Sequence, residues 1–232
     1  MLFVSRPLCV RSLALCLAAS LATLVAAPVV QAQSSSTNTA LTKQLQRLDI
    51  GLNGTYNTTR TASGLNDLQD LSVPVQQKTS STTGALLQFR YTRSPWMGGE
   101  FNIGYARNTH NFSSTEQTDY LPLGVQTNAL SFMLGYIAHP PHKIAGLQPF
   151  FGGGGGLMYF HTTSGGGQGF LKQGVGGYYY TAGVEREIVP HVGVRGQFRQ
   201  LFYYAPDFYQ SFLTIQKNTS TMEPAVGIYL HF

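Results

Sequence analysis

Met222-Glu-Pro-Ala-Val-Gly-Ile-Tyr-Leu-His-Phe232, the last eleven residues of the chain, is the stretch that decides the fold. Its apolar side chains stand at every second position from Met222 to Phe232, and the positions between them are small or polar. A period of two residues is typical of a β-strand whose two faces meet different environments. Eleven residues are also enough for a tilted strand to cross a bilayer, which takes about 9–11. The segment therefore predicts a membrane-spanning strand.

Seven other stretches show the same alternation or a composition rich in β-forming residues. They are 48–60, 79–92, 98–110, 125–138, 147–161, 177–188 and 192–205. Each is long enough to cross a bilayer as a tilted strand. After the N-terminal region, no segment has the roughly 20 apolar residues that a helical span needs. Strands must therefore account for the hydrophobic content of the chain.

The connections between these strands alternate in length. The long, polar ones are 61–78, 111–124, 162–176 and 206–219, and the short ones are 93–97, 139–146 and 189–191. Short periplasmic turns and longer outer loops are typical of outer-membrane barrels. Unpaired backbone N–H and C=O groups at a strand edge are costly in hydrocarbon. We therefore expect strand 48–60 to pair with strand 220–232 and close the sheet. We predict an all-β fold, an eight-stranded antiparallel transmembrane up-and-down β-barrel over 48–232. A ten-stranded barrel is the alternative, because 61–78 has room for an extra hairpin.

The first residues have the pattern of a secretory signal. Arg6 and Arg11 precede an apolar run over 13–27, and Val30-Gln-Ala32 offers a cleavage site. We predict a signal peptide over 1–32 and a periplasmic N-terminal tail over 33–47. An uncleaved anchor is the alternative. Both cysteines, at positions 9 and 16, would leave with the signal, so the mature chain would lack a disulfide, a thiolate metal site or a cysteine nucleophile.

The composition is unusual for a soluble domain. Only 11% of the residues are charged, against about 25% in ordinary domains, while Gly, Tyr and Phe are abundant. A soluble exported β-sandwich is the competing fold. Loss of the signal would leave 13 of the 15 basic residues against 10 acidic ones, a net charge of +3. Such a mild charge without a dense basic run does not indicate nucleic-acid binding.

Three stretches carry a resemblance to a known family: 148–159 (Gln-Pro-Phe-Phe-Gly-Gly-Gly-Gly-Gly-Leu-Met-Tyr), 182–199 (Ala-Gly-Val-Glu-Arg-Glu-Ile-Val-Pro-His-Val-Gly-Val-Arg-Gly-Gln-Phe-Arg) and 226–232 (Val-Gly-Ile-Tyr-Leu-His-Phe). Over 48–232 the chain resembles the OmpA- and OmpX-like eight-stranded surface proteins. The resemblance implies location in the bacterial outer membrane. It also implies that Gly227, Leu230 and Phe232 form the signal that the outer-membrane assembly machinery recognises. Relatives include tethers, adhesins, immune-evasion factors, narrow channels and lipid-modifying enzymes, so the resemblance does not choose a function.

Six charged residues fall mainly on the polar faces of the predicted strands: Arg90, Glu100, Glu185, Arg195, Arg199 and Glu223. The interior of an eight-stranded barrel is just wide enough to be filled by side chains, and an unpaired buried charge costs several kcal/mol. We therefore predict a lumen charge network that plugs the barrel. In it, the two arginines of strand 192–205 face acids from the neighbouring strands. A gate in a narrow channel is the alternative role of these residues.

Two motifs suggest a cofactor or a metal ion only weakly. The five glycines at 152–156 lack the Lys-Ser/Thr and the strand-to-helix context of a phosphate loop, and we predict that they make room for large neighbours such as the arginines. His139 and His142 flank a turn but have no third ligand for a metal ion. We therefore predict neither cofactor nor metal.

A lipid-modifying enzyme would need a nucleophile and a base at the outer rim. Two sets supply the residue types: His110 with Ser113, Ser114 and Glu116, and His161 with Ser164. Neither resembles an enzyme motif closely, so we predict no catalytic residue. We expect a structural or surface-interaction protein, with outer-membrane lipids and the assembly machinery as partners. An extracellular ligand would bind the Thr-, Ser-, Asn- and Tyr-rich loops. A narrow channel is the alternative function, and a lipid-modifying enzyme is the third.

Overall fold

The computed structural model describes residues 44–68, 71–114, 122–166 and 169–232. The predicted signal peptide and most of the predicted tail lie outside the described residues. Ten strands and one short 3₁₀-helix, η1 (Ser211–Leu213), occur within these ranges. The strands are β1 (Leu48–Thr59), β2 (Ala62–Leu68), β3 (Leu71–Thr79), β4 (Thr82–Ser94), β5 (Met97–Ser114), β6 (Pro122–Ala138), β7 (Gln148–Thr162), β8 (Gln173–Val189), β9 (Val192–Tyr204) and β10 (Asn218–His231). Within the described ranges, no helix has the length and hydropathy of a membrane span.

Eight of the strands, β1 and β4–β10, close into an antiparallel barrel. β1 pairs with β4 on one side and with β10 on the other. Following the register once around the barrel from Asp49 leads back to β1 at Thr59, ten residues further along the strand. Such a displacement tilts every strand against the barrel axis, by about 35–45° in barrels of this kind. The predicted eight-stranded fold is confirmed, and so is the predicted pairing of the first strand with the last.

The ten-stranded alternative is wrong, although the hairpin that suggested it exists. β2 and β3 pair with each other, and β3 also pairs with the last residues of β5, from Val75 opposite Ser114 to Thr79 opposite His110. The hairpin therefore prolongs the sheet beyond one end of the barrel without joining its wall. The predicted loop 61–78 is mostly strand, and loops 111–124 and 162–176 are shorter than predicted. Pairing continues beyond the barrel because each added residue finds a backbone partner there.

The two ends of the barrel differ. At the turn end, short connections join the strands and both described termini lie there. At the loop end lie the β2–β3 hairpin and a cap loop, residues 205–217, which includes η1. An apolar core fills the loop end, where Val125, Phe112 and Phe160 pack with Phe208 and Leu213 of the cap loop. The predicted loop 206–219 is therefore an ordered cover rather than a solvated loop.

The barrel wall is apolar outside and polar inside. On the outer face, Tyr136 and Val226 are 74% and 70% exposed, whereas Arg90 and Arg195 on the inner face are 1% exposed. A soluble β-sandwich, the competing fold, would bury its apolar face instead. An apolar outer band around a polar interior is the arrangement of a transmembrane barrel.

Aromatic side chains border this band near the strand ends, as is typical of outer-membrane barrels. Tyr159 and Tyr204 are exposed on the outer face, whereas their neighbours Phe160 and Tyr203 are buried inside. Successive side chains of a strand point to opposite faces, so only one of two adjacent aromatics can face lipid. Tyr91, Trp96, Tyr178 and Phe232 are also exposed.

Candidate functional site

A cluster of charged side chains fills the barrel interior near the turn end. The Nε atom of Arg90 lies 2.5 Å from Glu100, and its Nη1 atom lies 3.1 Å from Oε2 of Glu185. Arg195 reaches the same oxygen of Glu185 at 2.9 Å, and Nε2 of His139 lies 3.2 Å from the other oxygen. One carboxylate thus serves two buried guanidinium groups and a histidine. Losing this carboxylate would leave charges without compensation on Arg90 and Arg195, which are themselves almost fully buried.

Aromatic rings complete the surroundings of these arginines. The guanidinium carbon of Arg90 lies 4.2 Å from the centre of the Phe150 ring, and that of Arg195 lies 4.6 Å from the Tyr229 ring. Guanidinium groups stack favourably on aromatic faces, and the attraction is larger where water is excluded. Both cations are therefore held between carboxylates and rings.

Side-chain amides form the next layer towards the loop end. Gln88 receives a hydrogen bond from Asn53 at 2.8 Å and donates to Asn102 at 3.0 Å and to Gln197 at 3.3 Å. Asn102 in turn donates to Glu100 at 2.6 Å. The amides connect strands on different sides of the barrel, so they fill the lumen across its width.

A second charged group lies above the amides. Arg199 donates from Nε and Nη2 to Oε2 of Glu223, at 2.7 and 2.5 Å. Tyr179 donates to Glu100 at 3.2 Å, and the centre of its ring lies 5.8 Å from the guanidinium carbon of Arg199, so it joins the upper and lower groups. Gly104 leaves space for two neighbours, because a Cβ atom there would collide with the hydroxyl oxygen of Ser131 and lie 3.2 Å from Nη2 of Arg199.

All six residues predicted for the lumen network lie inside the barrel, in two groups rather than one. The lower group contains Arg90, Glu100, Glu185 and Arg195, and the upper group contains Arg199 and Glu223. Three arginines face three glutamates, so the formal charges balance. Sequence reasoning missed the amides, although the alternation places Gln88 and Asn102 on the same face as the charges. It also missed the contact of His139 with Glu185. His139 follows the end of β6, where the alternation of the strand no longer predicts the direction of a side chain.

The five-glycine run has a different role from the one we predicted. Cβ atoms on Gly154 and Gly156 would collide with the backbone carbonyl oxygens of Leu134 and Phe132 on β6. The glycines thus allow β6 and β7 to approach closely, and the atoms nearest to these two positions belong to β6 rather than to an arginine. No phosphate-binding geometry is present in this run, since it is continuous strand.

The cap loop closes the loop end of the barrel. Phe208 is fully buried, with its ring 5.6 Å from His110 and 6.1 Å from Phe170. Its backbone N–H donates to Gln173 at 2.7 Å, and Gln173 donates to Asp207 at 2.9 Å. Phe208 has a φ of 52°, a left-handed conformation that is unfavourable for such a residue. Burial of its ring offsets the cost of that conformation, so the cap is a packed part of the structure.

His110 lies beneath this cap. Its Nδ1 atom is 3.1 Å from both Thr79 Oγ1 and Gln77 Nε2, and its Nε2 atom has no hydrogen-bond partner among the described residues. His110 lies three residues beyond Arg107 along β5, towards the loop end. Because Arg107 is charged and exposed on the outer face, His110 lies outside the apolar band. Burial lowers the pKa of His110 from 6.5 to about 4. The ring is therefore neutral at pH 7.

The Ser/His hypothesis finds little support at His110. Ser113 is exposed on the opposite face of β5, and the ring contacts Phe160 and Phe208 instead of a serine. Glu116 lies outside the described residues. Along the described part of the chain, no three His, Cys, Asp or Glu side chains are grouped closely enough to hold a metal ion.

We expect acid to loosen the cap loop through His110. The unfolded side chain titrates near 6.5 and the buried one near 4, so an opened cap takes up more protons between these values. Cap stability is therefore complete above pH 6.5 and falls as the pH drops towards 4, by about 3 kcal/mol in total. Hydrogen exchange of amides 205–217, corrected for the intrinsic pH effect, should show this loss. The variant His110→Leu should show none, and equal pH dependence in both proteins would contradict the role of His110.

Free volume in the lumen is small. A cavity of about 20 Å³ between Thr55, Arg199 and Tyr203 has room for roughly one water molecule. The turn end is more open, with a cavity of about 500 Å³ that reaches Glu185 and the pair formed by Asp49 and His231. Solvent therefore reaches the lower charged group from one side and meets packed side chains above it.

The residues of the predicted assembly signal lie at the closing seam of the barrel. Leu230 and Phe232 are about half exposed on the outer face. Gly227 pairs with Asn53 of β1, and a Cβ atom on it would collide with the carbonyl oxygen of Leu52. Gly227 thus has a steric role in closure, separate from any recognition by the assembly machinery.

Comparisons with known proteins show which structures share this fold. No family model matches the chain, and no curated protein matches it. Among solved structures, it is similar to the outer membrane protein OprG from Pseudomonas aeruginosa, with 15% identity, a TM-score of 0.55 and coverage of 80% of this chain and 95% of that one. It is also similar to Neisserial surface protein A (NspA), with 12% identity, a TM-score of 0.54 and coverage of 80% and 97%. The chain has the fold of a small outer-membrane β-barrel. The predicted resemblance in fold is thereby confirmed, and at these identities it extends to the fold alone.

Proposed function

We propose that the protein is a non-enzymatic barrel of the bacterial outer membrane with a closed lumen and a surface-interaction role at its loop end. The observation that carries this proposal is the filled interior: three arginines that are each 1% exposed, their glutamates and the fully buried Phe208 occupy the lumen and its loop end. In this proposal the chain is exported by its signal peptide. The assembly machinery recognises it through Gly227, Leu230 and Phe232.

The loop end supplies the interaction surface in this proposal. The β2–β3 hairpin extends the sheet beyond the apolar band, and side chains such as Leu65 and Tyr209 are exposed there. Short turns mark the periplasmic side of such barrels and longer connections the outer side. The hairpin and the cap loop would therefore face the exterior, where a partner can reach them.

We expect the purified protein to show no conductance steps in planar bilayers. Paired charges and packed amides block the lumen, and breaking the network would cost several kcal/mol. A general porin in the same bilayer is the positive control. Reproducible steps that change size in Arg195→Ala would favour the narrow-channel alternative, for which the open cavity at the turn end is the supporting observation.

The interaction role has its own test. Replacing 61–78 by Asn-Gly would join Arg60 to Thr79 through a two-residue hairpin and leave the barrel strands intact. Bacteria that display this variant should adhere less to matrix proteins and host cells than bacteria displaying the intact chain. Equal adherence, at equal surface amounts of heat-shiftable protein, would contradict recognition through this hairpin.

A further inference from the structure

A pocket of about 500 Å³ lies on the outer wall at the loop end, outside the lumen, and its lining includes Lys217, the last residue of the cap loop. Arg60, Lys217 and Asn218 contribute to its polar lining, and Phe202 contributes to its apolar lining. The pocket lies where β1 and β10 meet, just beyond the paired residues Thr59 and Thr221.

Its charge is of one sign. Two of the lining residues are cationic and none is acidic. Neither Arg60 nor Lys217 forms an ion pair with any carboxylate of the described residues. In the lumen, by contrast, each arginine faces a carboxylate. These two cations are thus available to an external anion.

The backbone around the two cations is fixed. The N–H of Arg60 donates to the carbonyl of Ser220 at 2.8 Å, and the hydroxyl of Thr219 donates to the carbonyl of Arg60 at 2.6 Å. The carbonyl of Lys217 receives the N–H of Ala205 at 3.0 Å. Binding therefore requires little backbone ordering, and the hydroxyl of Ser220 adds a further polar group to the lining.

Directly below the pocket the wall is apolar. Tyr56, four residues before Arg60 on the same face of β1, and Met222, two residues after Ser220, are each about half exposed. The Phe202 ring stacks on Tyr178 with 5.0 Å between the ring centres. A ligand that fills the pocket would thus meet cations at one end and the apolar band at the other.

We infer that this pocket binds a phosphate-bearing lipid headgroup of the surrounding bilayer, with Arg60 and Lys217 on the phosphate and the acyl chains along the band. Arginine and lysine are the usual protein partners of phosphate. The inference rests on the proposed membrane location.

The test is titration of the folded barrel in uncharged detergent with dioleoyl phosphatidic acid, followed by native mass spectrometry. We expect one lipid to bind preferentially, and Arg60→Gln/Lys217→Gln to bind it roughly tenfold more weakly, because both solvent-exposed, charge-assisted contacts to the phosphate would be lost. The matched control, Arg107→Gln/Lys172→Gln, removes one exposed arginine and one exposed lysine elsewhere at the loop end. Equal weakening in both double variants would overturn the site in favour of diffuse charge.

Two further binding experiments test which part of the lipid the pocket recognises. Dioleoylglycerol, which lacks the phosphate, should bind more weakly than phosphatidic acid, and equal binding would overturn the role of the two cations. Millimolar inorganic phosphate should displace little lipid, and full displacement would show a free-anion site instead. Heat-shifted migration on gels is recorded for every variant, so failure of this inference in a folded barrel is distinct from failure of the proposed membrane role.

Discussion

Replacing Glu185 by leucine is expected to destabilise the barrel by about 3–5 kcal/mol, the usual cost of removing one partner of a buried ion pair. Glu185 is the shared acceptor of Arg90 and Arg195, so its loss leaves Arg195 without a carboxylate and Arg90 with Glu100 alone. The measurement is urea unfolding in detergent, followed by the fraction of protein that keeps the heat-shiftable gel position. Glu187→Gln, an exposed acid two residues further along β8, is the matched control and should change stability little.

A second variant separates charge from packing. Adding Arg195→Met to Glu185→Leu removes the uncompensated cation and should restore much of the lost stability, because an apolar pair of similar volume can replace a buried ion pair. No recovery in the double variant would mean that Glu185 acts through packing or through His139 rather than through charge.

Replacing Gly227 by valine is expected to prevent closure of the barrel. The new side chain would meet the backbone of Leu52 and Asn53, which cannot move without breaking the β1–β10 pairing. Overpacking in well-packed interiors costs about 1–3 kcal/mol or more, and here the cost falls on the seam that joins the first barrel strand to the last. Refolding from urea into detergent, scored by heat-shifted migration, should yield mostly unfolded protein.

Refolding without cellular factors also separates the two roles of this glycine. If Gly227 served only as part of the assembly signal, the valine variant would refold as well as the parent chain, and the steric argument would be wrong. Gly196→Val is the control, because a Cβ atom added to Gly196 on β9 would have open space within 4 Å. It should refold normally.

The alternation of side chains makes most of the barrel predictable. Where one face is lipid and the other a narrow polar interior, a single period fixes which way residues such as Arg90 and Val226 point. The closing pair of strands follows from the absence of water in the bilayer. Beyond the apolar band, both faces of the sheet meet protein or water, so alternation no longer predicts which way a side chain points. The β2–β3 hairpin lies in that region, so its sequence predicts a loop.

The sequence predicts which residues belong to the candidate site, but it does not predict how they divide into a lower and an upper group. The face that carries Glu100 and Arg199 can be read from the strands, whereas their partners depend on the ten-residue displacement around the barrel, which no single strand encodes. The cap escapes prediction for another reason. Phe208 lies in a polar segment without periodicity, and its burial depends on His110 and Phe160, which are remote in sequence.

The apolar core beneath the cap also has a consequence for how the protein stays in its membrane. Phe112, Phe160 and Phe208 pack together only beyond the band, on the side that a chain inserted from the turn end reaches last. Withdrawing a strand would first require this core to come apart, and then a polar hairpin to cross hydrocarbon. In the proposed membrane orientation, formation of this core would be the last step of insertion, and the free energy needed to take it apart would oppose withdrawal.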